Sequence, residues 1–106
     1  MKSKYSNKIV TIDGIKFRSI REGNRYKLLK ILEKNGNITG LVLQPKFVLV
    51  EDKSIGFKLT YIADFMYTDF NGIVNVEDVK GMKTTVYKQK KKLMLRKYGI
   101  EVIEVK

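Results

Sequence analysis

Three extended segments rich in Val, Ile, Phe and Tyr lie between two stretches of helical periodicity, and this order constrains the fold more than any other feature of the chain. They run from Leu41 to Val50, from Phe57 to about Asp69 and from Ile73 to Lys80, separated by Asp52-Lys53-Ser54 and Asn71-Gly72, and together they predict an antiparallel meander. Upstream, Ser19-Ile20-Arg21-Glu22 matches a helix capping box, followed by Tyr26, Leu28, Leu29, Ile31 and Leu32 at mostly helical spacing. A helix is expected over 20–35, with Gly36 as its stop. Downstream, Thr84 to Tyr98 is helical again, with Val86, Lys90, Leu93, Met94 and Lys97 on one stripe and Gly99 at its end. Ile100 to Val105 is a final strand. Val10-Thr11-Ile12 and Ile15-Lys16-Phe17 flank Asp13-Gly14, a hairpin signal, because that dipeptide tolerates the positive φ of a tight turn. The predicted architecture is an α+β fold: a hairpin, then αβββαβ, with helices packed on a mixed sheet.

The chain has 106 residues, the size of one domain spanning 1–106. Lys and Arg number 22 against 11 Asp and Glu, a net charge of +11 that favours a polyanionic partner. Cysteine and histidine are absent. That excludes a disulfide framework, a thiolate zinc site, a cysteine nucleophile, a Ser-His-Asp triad and histidine-ligated metals. Hydrolytic chemistry would have to use carboxylates, lysine and a hard cation. No apolar run approaches the ~20 residues that span a bilayer, and the first residues lack an apolar signal-peptide core. A cytoplasmic location with no membrane partner is expected.

Asp64 lies in Tyr61-Ile62-Ala63-Asp64-Phe65-Met66-Tyr67, apolar on both alternating faces, so its carboxylate is expected in core-like surroundings shared with Ile62 and Met66. Taken alone it is equally the acid of a strand end or of a buried ion pair. The segment Val76-Glu77-Asp78-Val79-Lys80-Gly81 changes that weighting. Period-two geometry puts Asp78 and Lys80 on one face with Val74 and Val76, and turns Glu77 and Val79 the other way. If the Asp64 strand is adjacent, two carboxylates meet, and a divalent cation with oxygen ligands, Mg²⁺ foremost, relieves their repulsion. Asp78 is therefore the expected second ligand, with Glu77 at the surface or in a supporting position. Glu22 aligns with Tyr26 and Leu29 on the helix and is either a third site acid or only the capping-box Glu. Lys90 either leans toward the site or snorkels to solvent. Lys88, Lys90, Lys91, Lys92, Arg96 and Lys97 form the densest basic patch, best suited to a nucleic-acid backbone. Gln44-Pro45 marks a bend or edge in the first extended segment.

The order Glu22, Asp64, Asp78-Val79-Lys80 on an αβββαβ framework resembles the PD-(D/E)xK nuclease superfamily, the restriction-endonuclease-like fold. Phe17-Arg18-Ser19, Glu22, Arg25-Tyr26, Leu43-Gln44-Pro45, Tyr61-Ile62-Ala63-Asp64-Phe65 and Glu77-Asp78-Val79-Lys80-Gly81 are similar to a family of small phage-encoded proteins of endonuclease-like or unknown function. The same acids resemble those of endonuclease I-type Holliday junction resolvases and TnsA-type nucleases. Ala63 stands where the signature proline would, and Asp78 where many members carry Glu. The resemblance implies Glu22, Asp64 and Asp78 as metal ligands, the Val79 carbonyl as another, and Lys80 as the residue that helps activate water. It also implies a phage or prophage origin in a bacterial host.

The expected function is Mg²⁺-dependent hydrolysis of DNA phosphodiesters, with Mn²⁺ able to substitute. Little chain remains for reading sequence, so branched or junction DNA cut by a homodimer is expected, one site for each side of a symmetric junction. The competing expectation is a non-catalytic nucleic-acid-binding module or a subunit of a phage replication or packaging complex.

Overall fold

The computed structural model describes residues 8–79 and 83–106; Lys80, the lysine of the acid-x-Lys motif, and Gly81 after it lie outside the described residues. Strands β1 (Val10–Ile12) and β2 (Ile15–Phe17) form the expected hairpin, pairing Val10 with Phe17 and Ile12 with Ile15. Asp13 and Gly14 take φ of 54° and 76°, the left-handed values that a two-residue turn of this twist requires. Helix α1 (Ile20–Lys34) follows, with Ser19 as N-cap: its hydroxyl accepts the Glu22 N–H at 3.1 Å, as the capping-box pattern predicts. Asn35 caps the other end. Glu22, Gly23, Tyr26 and Leu29 are the buried face, whereas Leu28 and Ile31 look outward. The helix thus buries the Glu22-Tyr26-Leu29 line and leaves part of its apolar sequence in solvent.

The three extended segments become five strands, because the first two are each broken in the middle. β3 (Thr39–Leu43) and β4 (Lys46–Asp52) flank Gln44-Pro45; β5 (Phe57–Ile62) and β6 (Phe65–Thr68) flank Ala63-Asp64; β7 (Val74–Val79) is unbroken. Proline lacks the N–H a central strand needs, and Gln44 adopts φ of 52°, so the first break is built into the chain. The second lies opposite it: Gln44 N–H donates to Asp64 O at 2.9 Å, and Ala63 N–H donates to Pro45 O at 3.1 Å. Two aligned breaks separate β4–β5 as a two-stranded ribbon from the main sheet, whose order is β3-β6-β7-β8. The expectation of one continuous strand from Phe57 to Asp69 is corrected accordingly.

Helix α2 (Thr85–Tyr98) begins at its N-cap Thr84, ends at Gly99 in the left-handed region, and leads to β8 (Ile103–Val105), shorter than the expected final strand. β8 pairs parallel with β7, while β3-β6 and β6-β7 are antiparallel, so the sheet is mixed and the fold is α+β. Tyr87 and Met94 carry the buried side of α2; Val86, expected on that stripe, is 57% exposed. The actual stripe is rotated by one residue, because the tyrosine ring supplies the larger apolar area.

Two cores lie on opposite faces of the sheet. One joins α2, the β4–β5 ribbon and the sheet through Leu49, Tyr61, Val76, Tyr87 and Met94. The other joins the N-terminal hairpin, α1 and the sheet through Phe17, Tyr26, Leu29, Phe65 and Tyr67. Among the described residues no helix is long and apolar enough to cross a membrane.

The hairpin meets α1 at Gly23, where an added Cβ would lie 2.8 Å from Val10 Cγ2 and 2.9 Å from Ile12 Cδ1. Helix propensity alone would make Gly23→Ala stabilising by about 1 kcal/mol. Overpacking against the hairpin costs about 1–3 kcal/mol and should outweigh it, so thermal melts are expected to show a lower midpoint for Gly23→Ala. A raised midpoint would mean that the hairpin does not pack as described.

Candidate active site

Alternation along β7 places two consecutive acids on opposite faces. Glu77 and Asp78 are 1% and 2% exposed, and each is met by hydroxyl or guanidinium donors. Glu77 points to the α1 face, where Arg25 Nε donates to Oε1 at 2.7 Å and Nη2 to Oε2 at 2.5 Å, and the Tyr67 hydroxyl donates to Oε2. This forked pairing raises the Arg25 pKa; burial first, and then the bond to Glu77, raises that of Tyr67 to about 12. The expectation that Glu77 and Asp78 part to opposite faces matches the structure. A surface position for Glu77 does not: it is the carboxylate half of a buried clamp between β7 and α1.

Asp78 points to the α2 face and accepts a hydrogen bond from the Tyr61 hydroxyl. Burial, followed by that bond, pushes the Tyr61 pKa far up, so Tyr61 remains a donor. Asp64 reaches Asp78 from the break between β5 and β6. Its backbone is fixed on both sides, its carbonyl accepting from Gln44 and its N–H donating to Glu77 O at 3.1 Å. The Asp64 side chain is half-buried, and Oδ2 accepts the Val79 N–H at 2.7 Å. Ile62, expected to share its surroundings, is 53% exposed.

The Asp64 carboxyl titrates unusually high, at about 7. Burial is the largest cause; a hydrogen bond with the Asp78 carboxyl comes next, while the Val79 N–H pulls the other way and the Asp78 and Glu22 charges add to the rise. The two aspartates are therefore in contact, and Glu22, 7% exposed near the start of α1, is within electrostatic reach. Ser19 caps through the Glu22 backbone N–H, so the cap and a buried Glu22 carboxyl coexist.

Among the described residues no three acidic side chains converge into a ready-made cation cage. The donor set nevertheless suits Mg²⁺, which usually takes one or two carboxylates and leaves its other positions to water and phosphate oxygens. Asp64 and Asp78 would be the protein carboxylates, with Val79 beside them. Asp64 and Asp78, fourteen positions apart in sequence (78 − 64), are thus brought together, with Val79 bound to Asp64.

Glu104 on β8 is the register partner of Asp78 and lies on the same face. It accepts from Tyr87 at 2.9 Å and pairs with Lys83 at 2.9 Å and Lys91 at 3.4 Å. Lys83, then Tyr87, holds its carboxyl down to about 2. Of the basic patch, Lys88, Lys92, Arg96 and Lys97 are exposed, and Lys90 and Lys91 are half-buried. Lys97 Nζ donates to Val48 O at 3.0 Å, so that lysine also ties α2 to the β4–β5 ribbon. Arg25, Tyr61, Tyr67, Tyr87 and Glu104 were given no site role from the sequence. Arg25 alone carried a signal there, standing one helical turn after Glu22.

Two outcomes follow for the isolated protein. Glu77→Gln leaves the Arg25 guanidinium without its anionic partner and is expected to lose about 3 kcal/mol in urea denaturation. Asp78→Asn removes a charge facing Asp64 and should lose much less; the reverse order would contradict the clamp. Asp64 binds its proton more tightly folded than unfolded, so its contribution to stability is present below pH 4 and is lost as pH rises through about 7. A cation held there would compete with the proton for that carboxyl, so any thermal-midpoint gain from Mg²⁺ should be larger at pH 8 than at pH 5.5. An equal gain at both would separate the cation from Asp64.

No curated protein and no solved structure matches the chain. One family model, described as "Protein of unknown function (DUF1064)", matches residues 2–105. With almost its whole length inside that match, the chain belongs to the DUF1064 family.

Proposed function

We propose that the protein is a metal-dependent endonuclease that hydrolyses DNA phosphodiesters. The observation that carries this reading is the Asp64–Asp78 contact, a half-buried carboxyl against a buried one, where burial and then the bond between them raise the Asp64 carboxyl to about 7. Two carboxyls in contact are stable at neutral pH with a proton or a cation between them. A divalent cation there would polarise a phosphate and lower the pKa of an attacking water.

The chain's own groups divide the remaining work. Tyr61 fixes the orientation of Asp78 through its hydroxyl, and the Val79 N–H fixes that of Asp64. Glu22 adds negative charge that strengthens cation binding. Lys80 follows Val79 directly and takes the water-activating role that the resemblance to PD-(D/E)xK nucleases implies. The net charge of +11 and the exposed Lys88, Lys92 and Arg96 on α2 supply attraction for a polyanion. Branched or junction DNA, cut by a homodimer in a phage or prophage setting, is the substrate class this reading favours, with Mg²⁺ as the cation and Mn²⁺ as its substitute.

The test incubates the purified protein with four-way-junction, flap, duplex and RNA substrates in Mg²⁺ or EDTA. Cleavage is expected in Mg²⁺ alone, with the junction cut fastest. Asp64→Asn and Lys80→Ala are each expected to slow it at least about 100-fold. Cutting in EDTA, or cutting undiminished in either variant, would overturn the mechanism; a junction shifted in a gel but never cut would favour a binding module.

A further inference from the structure

We propose that Lys83, Lys91 and Glu104 form a phosphate-contact site beside the acidic pair, which takes a nucleic-acid backbone phosphate next to the one being cut. The inference rests on reading DNA as the substrate and names residues that hold it. Lys83 Nζ lies 2.9 Å from Glu104 Oε1 and Lys91 Nζ lies 3.4 Å from Oε2, so two ammonium groups share one carboxylate. The triad carries a net charge of +1, two cations less one anion. Its position follows from strand register: Glu104 pairs with Asp78 across parallel β7 and β8, about 4.8 Å apart, with both side chains on one face. The Tyr87 hydroxyl donates to Glu104 at 2.9 Å; burial and then that bond raise its pKa, and the Asp78 and Asp64 charges add to the rise.

This arrangement suits a phosphate better than it suits stability alone. The lysine side chains are 46% and 31% exposed, and ion pairs this open contribute little to folding. Glu104 restrains two long side chains that would otherwise be mobile, so an incoming anion meets donors already ordered. Each ammonium has three N–H donors and can keep Glu104 while bonding phosphate oxygens. A phosphodiester chain laid across the Asp64–Asp78 centre toward β8 would meet them one strand away.

The experiment measures binding of fluorescent duplex and four-way-junction DNA in EDTA over a range of NaCl concentrations. Lys83→Gln/Lys91→Gln is expected to lower the slope of log affinity against log salt by about 0.9, the one phosphate contact that the site makes. Lys88→Gln/Lys92→Gln, which removes equal charge from the exposed side of α2, should lower it less. Adding Glu104→Gln to the first pair removes the stranded carboxylate, and this triple variant should fold well and bind as weakly as the double. Wild-type slope in the double or triple variant, or a loss no greater than in the control pair, would overturn the site. If the wild-type protein binds DNA through these lysines but never cuts in Mg²⁺, the nuclease reading fails and the site stands. If it cuts while the triple variant binds normally, the site fails and the nuclease reading stands; no DNA binding by the wild-type protein overturns both.

Discussion

Two adjacent carboxylates, Glu77 and Asp78, are buried on opposite faces of the central strand β7, and much of the molecule is arranged around that constraint. A buried carboxylate without partners is costly, so each face must bring donors to it. On one side the cost is met by a forked Arg25 and the Tyr67 hydroxyl, which bind α1 to the sheet and set Glu22 one helical turn from the clamp. On the other, Tyr61 reaches Asp78 from the β4–β5 ribbon. Helix, sheet and ribbon therefore converge on consecutive residues of a single strand.

The aligned breaks at Gln44-Pro45 and Ala63-Asp64 complete the geometry. A continuous strand would direct Asp64 by strict alternation, with its backbone committed to a regular ladder. In the break, the Asp64 backbone bonds to Gln44 on one side and Glu77 on the other, which leaves its carboxyl beside Asp78 and the Val79 N–H. The same two breaks free β4 and β5 to fold over α2, where Tyr98 donates to Val48 O at 2.6 Å. One departure from regular sheet thus creates both the acidic pair and the second core that buries it.

Local signals made much of this legible in the sequence. The Asp13-Gly14 turn, the Ser19 cap, the Gly99 stop and the alternation that parts Glu77 from Asp78 all depend on near neighbours, and they hold in the structure. The element order hairpin-αβββαβ also holds, once the first two extended segments are read as bent strands. What escaped depends on distant partners. Glu77 was left between a surface and a supporting position because its cation, Arg25, is fifty-two positions away (77 − 25) on another element. Glu104 was given no role beyond its place in the final strand, because Lys83 and Lys91 meet it only through the three-dimensional packing of α2 against β8. The break at Asp64 was hidden because its own segment is continuously apolar; only the proline opposite marked it.

The central claim is that Asp64 and Asp78 form a divalent-cation site. Crystals grown with Mn²⁺, with data collected at an energy where manganese scatters anomalously, test it most directly. The account predicts an anomalous peak between the two aspartate carboxylates, lost in Asp64→Asn protein of the same fold. A well-ordered site with no peak there, or with manganese bound only elsewhere, would contradict it.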